Sequence, residues 1–313
     1  MNDIHSSLLP TGLKDLLSPE AETEAWLINQ LIEQFQQFGY RRVKPPLVEF
    51  EESLLAPGPG AALSRETFRL MDPISGRMMG VRADVTAQIA RLAGSRLANE
   101  ERPLRLSYAA DVLQVNGTAL RPERQFCQVG CELIGAQSIH DDVESCLSAL
   151  KSLDYIGISN LSIDLALPTF LPDLYRFYDL KQTDIETADA LLKRRDRDGI
   201  ATLNMVITPI LLALMDASGA GEQAITALNG IEINNNLQDD LHQLTQMYHH
   251  LTKALAVYGL SDVQITIDLI ERTGMNYKSG VGFTLYSKDV RGILGAGGRY
   301  YPSANSTEQA CGI

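Results

Sequence analysis

The stretch Val112–Gly130, VLQVNGTALRPERQFCQVG, decides how this chain folds. A polar, arginine-bearing turn separates two runs, LRLSYAADVLQV and RQFCQVGCELIG, whose residues suit strands, so the segment reads as an antiparallel hairpin. Side chains alternate along a strand. Cys127, Val129, Cys131 and Leu133 therefore share one face, and Gln128, Gly130 and Glu132 share the other. The first face is expected to be core. The second, two polar residues around a glycine, fits either the floor of a small polar site or a solvated sheet face.

Upstream, Ser18-Pro19-Glu20 reads as a helix start with Ser18 as N-cap. Ile28, Leu31, Ile32, Phe35 and Phe38 then follow at helical spacing up to Gly39. RRVKPPLVEFEESL reads as extended, because Pro45-Pro46 cannot continue a helix. After the loop APGPGAAL, TFRLMD and RMMGVRA read as short strands around the turn Pro73-Ile74-Ser75-Gly76, and a helix runs from Asp84 towards Arg96.

Downstream of the hairpin come a helix, DDVESCLSALKSL, and a strand in which Leu161, Ile163, Leu165 and Leu167 alternate. From Leu171 to Gly259 the pattern turns helical. It ends in a stripe, Leu237, Leu241, Leu244, Tyr248, Leu251, Leu255 and Tyr258, spaced alternately four and three apart. Packing inside a helical insert is the expected partner of that stripe, with a second chain as the alternative. Lys193–Asp198 mixes both charge signs and reads as a solvated helix end. Strand periodicity returns in DVQITIDLI and GVGFTLYS. The following GAGGRY lacks the spacing and the lysine of a phosphate loop, so its glycines serve close approach to a ligand or to another strand. The fold class is α+β: a core from 1–170, a helical insertion over 171–260, and the rest of the core over 261–313.

Composition narrows the function. Of 313 residues 45% are hydrophobic, enough for a sizeable core, and 39 acidic against 27 basic residues give a net charge of -12, which disfavours a nucleic-acid partner. No basic-then-apolar leader and no long apolar run is present, so a cytoplasmic protein is expected. Cys127, Cys131, Cys146 and Cys311 are too few and irregular for a disulfide framework. His5, His140, His242, His249 and His250 show no ligand spacing, so no metal and no cofactor is expected.

PTGLKDLLSPEAE, FGYRRVKPPLVEF, VRADVTAQIARLAG, RQFCQVGCELIGA, TGMNYKSGVGF and GAGGRY together, in that order, resemble the histidyl-tRNA synthetase family and its non-catalytic relatives. The resemblance implies a class II aminoacyl-tRNA synthetase-like antiparallel sheet flanked by helices, with a helical insertion. In that family two arginines stabilise the charge of adenylate formation. Gln114 and Asn116 stand where one arginine and a neighbouring acid belong, and Thr273 stands where the other arginine belongs, with Arg272 beside it; catalysis is expected to be lost. The chain also ends about where a further ATP-binding motif would begin, and no anticodon-binding domain is expected, hence no tRNA.

The amino-acid half of the site is better kept. Asp84 and Thr86 match an acid-x-threonine that meets the ligand's ammonium, Gln128 and Glu132 match pocket positions, and Tyr277 with Gly297 and Gly298 would close over an imidazole. Asp84 also fits a helix N-cap, and the two roles are compatible. Among the non-catalytic relatives, VRADVTAQIARLAG and YKSGVGFTLYSKDVRGILGAGGRY look closest to regulatory subunits of ATP phosphoribosyltransferase. These imply a short catalytic transferase subunit as partner, a homodimer within the hetero-oligomer, and histidine as effector. The alternatives are an active histidine-tRNA ligase, with Arg121, Arg124 or Arg272 compensating, and a stand-alone histidine-binding regulator.

Overall fold

A computed structural model describes residues 8–118, 121–271 and 277–313. The chain forms two compact units, Met1–Gly135 with Pro302–Glu308 and Ala136–Tyr301 with Gln309–Ile313.

The first unit opens with α1, Glu20–Gln37, which buries Ile32 and Phe35. Pro19 rather than Ser18 is the N-cap, because the Pro19 carbonyl takes both the amide and the hydroxyl of Thr23. Gly39, at φ 83°, ends the helix and turns Tyr40 in against Phe35. After β1 (Arg41–Arg42) and β2 (Val48–Phe50) the chain does not stay extended: Glu51–Leu54 is a short helix, α2. Two acids in its first turn favour the helix, and each is held by an arginine, Glu51 by Arg69 and Glu52 by Arg77, while Leu54 is buried beneath. The expected hairpin β3 (Arg69–Met71) and β4 (Met78–Val81) forms, in a small sheet ordered β2-β4-β3. Then come α3 (Thr86–Gly94) and the long hairpin of β5 (Leu104–Leu113) and β6 (Gln125–Ala136), antiparallel with Ala110 opposite Gln128 and Leu106 opposite Glu132. β1 joins β5 in parallel.

The second unit carries α4 (Ile139–Tyr155), opened by a Ser138/Asp141 capping box, and then β7 (Leu161–Ala166). The helical run comes next: α5 (Phe170–Phe177), α6 (Gln182–Lys193), α7 (Arg197–Ala201), α8 (Thr208–Ala217), the two-residue β8 (Gly219–Ala220), α9 (Gly221–Asn229) and α10 (Asn235–Val257). β9 (Gln264–Ile267), β10 (Lys278–Ser287), β11 (Val290–Tyr300) and β12 (Gln309–Gly312) complete a strand order of β12-β11-β10-β7-β9-β8. Pairing is antiparallel except between β7 and β9. The sheet chemistry is thus the expected antiparallel one with two parallel pairings added. Ile163, Leu165, Phe283 and Leu285 lie on its fully buried face.

The α10 stripe packs within the unit, against α4, α5 and α9. Two of its members differ from expectation: Met247, fully buried, takes the place assigned to the half-buried Tyr248, and Tyr258 is exposed just past the helix end. Met247 is one position earlier on the helix, so the buried face is rotated towards it. Lys193–Asp198 is not merely solvated. Arg195, at φ 56°, turns the chain and pairs with Asp268, and Arg197 pairs with Asp216 at 2.8 Å, so the charges fix the corner between α6 and α7. Among the described residues no helix is long and apolar enough to cross a membrane.

Candidate functional site

β4 ends at Val81, and Arg82 fixes the path of the chain beyond it. Its guanidinium is buried and donates to the carbonyls of Asp111 at 2.6 Å and Pro45 at 3.0 Å, while its own carbonyl accepts the Leu113 amide at 3.0 Å. The residues leading into α3 are thereby locked to the hairpin. Arg82 is a positioning residue that the motif reading passed over; its signal was a lone arginine between a strand and a helix start.

Asp84 and Thr86 then face β6. Val85 rather than Asp84 is the N-cap of α3; from one residue further out, one carboxylate oxygen of Asp84 accepts the first helical amide, that of Thr86, at 2.7 Å. The other accepts the Gln128 side-chain amide at 3.0 Å, and the Gln128 carbonyl in turn accepts the Val85 amide at 3.0 Å. Thr86 donates its hydroxyl to Glu132 at 2.9 Å. Four of the candidates, Asp84, Thr86, Gln128 and Glu132, thus form one network between the N-terminus of α3 and one face of β6. That face is not an open one at its far end, since Glu132 is only 1% exposed. Within this network the charges are two carboxylates, and the positive end of α3 lies beside Asp84. Such a set attracts an ammonium or a ring N–H and repels phosphate.

The other candidates lie in the second unit. The Tyr277 ring meets Tyr300 edge-on at 5.8 Å. A Cβ at Gly297 would come 2.2 Å from Phe283 and 2.3 Å from the Gly312 carbonyl, so this glycine serves strand and core packing, and the Lys278 ammonium already occupies its carbonyl. Gly298 sits at φ 142°, a conformation suited to glycine. Gly297→Ala should cost about 1–3 kcal/mol through overpacking; an unchanged denaturant midpoint would show that both Phe283 and the Gly312 carbonyl yield freely.

Gln114 is engaged through its backbone amide with the Arg124 carbonyl at 2.8 Å, and Asn116 is exposed. Arg124 donates to the Thr11 carbonyl at 3.0 Å and lies over the Phe68 ring, and Arg121 lies over Phe126. Arg272, Thr273 and Gly274 fall outside the described residues. The four cysteines are free, and burial, aided by Asp111, pushes the Cys127 thiol up to about 11, which keeps it protonated.

The histidyl-tRNA synthetase family model matches residues 12–313. A curated ATP phosphoribosyltransferase regulatory subunit from Rhodospirillum centenum is 44% identical over 98% of this chain and 78% of its own. The chain belongs to the histidyl-tRNA synthetase family, in its ATP phosphoribosyltransferase regulatory subunit branch. A solved ATP phosphoribosyltransferase regulatory subunit/histidyl-tRNA synthetase from Bacillus halodurans superposes with a TM-score of 0.83 at 26% identity, covering 100% of this chain and 81% of that one. A chain of the ATP phosphoribosyl transferase (HisG:HisZ) complex from Thermotoga maritima shares the fold, with a TM-score of 0.68 at 15% identity over 92% and 96% of the two chains. The class II synthetase-like fold expected from the motifs is therefore the fold of this regulatory subunit branch.

Proposed function

We propose that this chain is the non-catalytic regulatory subunit that a short-form ATP phosphoribosyltransferase catalytic subunit requires for the first step of histidine biosynthesis. In this reading it also reports histidine to that partner, in the cytoplasm. The observation that carries the assignment is the 44% identity with a curated regulatory subunit over 98% of the chain. The carboxylates of the Asp84–Gln128 and Thr86–Glu132 pairs supply the effector chemistry, an anion for the ammonium and an acceptor for an imidazole N–H. Regulation through this site requires that the chain bind the partner's active and inhibited states with different free energy. A homodimer through α1 and the segment around Pro46 would present two such sites per complex.

The family's other activity is histidine-tRNA ligation, and the residues here favour its loss. Gln114 and Asn116 carry no charge for ATP, and Arg124, the nearest compensating candidate, is tied to the Thr11 carbonyl. Losing one charge-stabilising donor costs roughly 10²–10³ in rate, and both arginine positions, at Gln114 and Thr273, are changed in the sequence. Purified protein with ATP, histidine and labelled pyrophosphate should therefore show exchange no faster than a blank. The partner assay is the complement: the transferase subunit assayed alone should be slow and insensitive to histidine, and addition of this chain should restore both properties. Robust pyrophosphate exchange, or a partner equally active and equally inhibited without this chain, would overturn the reading.

A further inference from the structure

We propose that His140 and His250 form a two-imidazole site for a divalent ion of the tetragonal class, copper(II) or nickel(II), that clips α10 onto α4. Sequence spacing hides this pair. His140 stands in the first turn of α4 and His250 in the C-terminal half of α10, and only the packing of those helices brings the rings together, 4.6 Å between centroids.

The separation bears on the ion. With metal–nitrogen bonds of about 2.0–2.1 Å and a ring nitrogen about 1.1 Å from its centroid, imidazoles at neighbouring positions of a square-planar or octahedral ion have centroids about 4.5 Å apart. On a tetrahedral ion they are about 5.1 Å apart. The observed 4.6 Å matches the right-angle arrangement. The rings now meet edge-to-face at 71°, and because His140 is exposed its imidazole has room to turn about its soft terminal torsion towards an ion shared with His250. Among the described residues no group of three or more metal-ligating side chains could hold an ion, so water must fill the remaining positions. That suits copper or nickel better than zinc, whose protein sites take three or four side-chain ligands. The positive end of α4 opposes a cation, and the carboxylate of Asp141, held over that end by the Gln137 and Ser138 amides, offsets it.

The test uses the full chain, stripped with a chelator and desalted, and titrated near neutral pH with copper(II), nickel(II) or magnesium chloride alone in a non-coordinating buffer. One copper or nickel ion per chain should bind and raise the thermal midpoint, and magnesium should do neither. His140→Ala and His250→Ala should each weaken binding by about tenfold or more and abolish the thermal shift, whereas His249→Ala should preserve both. The imidazole nitrogen splitting in the copper resonance spectrum should be lost in the same two variants. Binding and thermal shift that survive in either variant, or no copper or nickel binding at all, would overturn the proposal.

Discussion

Arg299→Met should lower the stability of the protein by about 3–5 kcal/mol at neutral pH, and by much less at about pH 5. Arg299 is buried and grips both oxygens of Asp142, at 2.7–3.1 Å, while its remaining donors hold the Ala136 and Ser138 carbonyls and Gln309. One side chain thereby ties the start of α4 to β11 and β12. Burial already pushes the Asp142 carboxyl from 3.8 up to about 6 against the pull of Arg299, so at neutral pH it is ionised and paired. Without the guanidinium, burial acts unopposed and the folded value rises further. The native state then holds a proton more tightly than the unfolded chain, so stability is kept at low pH and lost as pH climbs from the ordinary carboxylate range through the raised value. Hence the pH dependence of the loss. Adding Asp142→Asn to Arg299→Met removes the buried charge and should recover much of the stability at neutral pH. Urea unfolding of the three proteins at both pH values checks this. An equal loss at both pH values, with no recovery in the double variant, would show that Arg299 acts through packing and its neutral acceptors rather than through Asp142.

This ion pair also marks where sequence reading runs out. The hairpin of β5 and β6 was legible because an alternating pattern needs only neighbours in the chain to specify a strand, and the α10 stripe was legible for the same reason at helical period. The glycine run GAGGRY left two readings open, ligand or strand. Only the position of Phe283 across the β10–β11 pair decides for the strand at Gly297. In the candidate site the residue types at Asp84, Thr86, Gln128 and Glu132 were readable, but their mutual hydrogen bonds depend on how α3 docks on β6, and that is set by Arg82. EESL read as extended because prolines precede it. The arginines that hold its two acids as a helix come from the next hairpin, outside any local window. His140 and His250 belong to the same class, paired only by the contact of two helices.

On the proposed effector reading, Glu132→Gln and Asp84→Asn should each weaken histidine binding by roughly tenfold to a hundredfold, the equivalent of one charge-assisted hydrogen bond of about 1.5–3 kcal/mol. The two variants are not alike in what else they disturb. An amide at 132 still offers a carbonyl to the Thr86 hydroxyl, so that contact survives the loss of charge. At 84 the carboxylate accepts on both oxygens, from the Thr86 backbone and from Gln128, whose own carbonyl is held by Val85. Whichever way an amide at 84 is turned, its NH2 meets a donor, and turning Gln128 to suit it sets that side chain's NH2 against the Val85 amide. Asp84→Asn should therefore also cost stability, about 1–3 kcal/mol for a donor left without an acceptor. Calorimetry with histidine on the isolated chain, thermal unfolding of each variant, and histidine inhibition of the transferase complex separate the two effects. A site that senses histidine predicts weaker binding and weaker inhibition in parallel for Glu132→Gln, beyond any change in its midpoint. If the isolated chain binds no histidine and both variants leave inhibition of the complex unaltered, the sensor lies elsewhere in the assembly and the Asp84–Glu132 network serves only to seat α3 on the sheet.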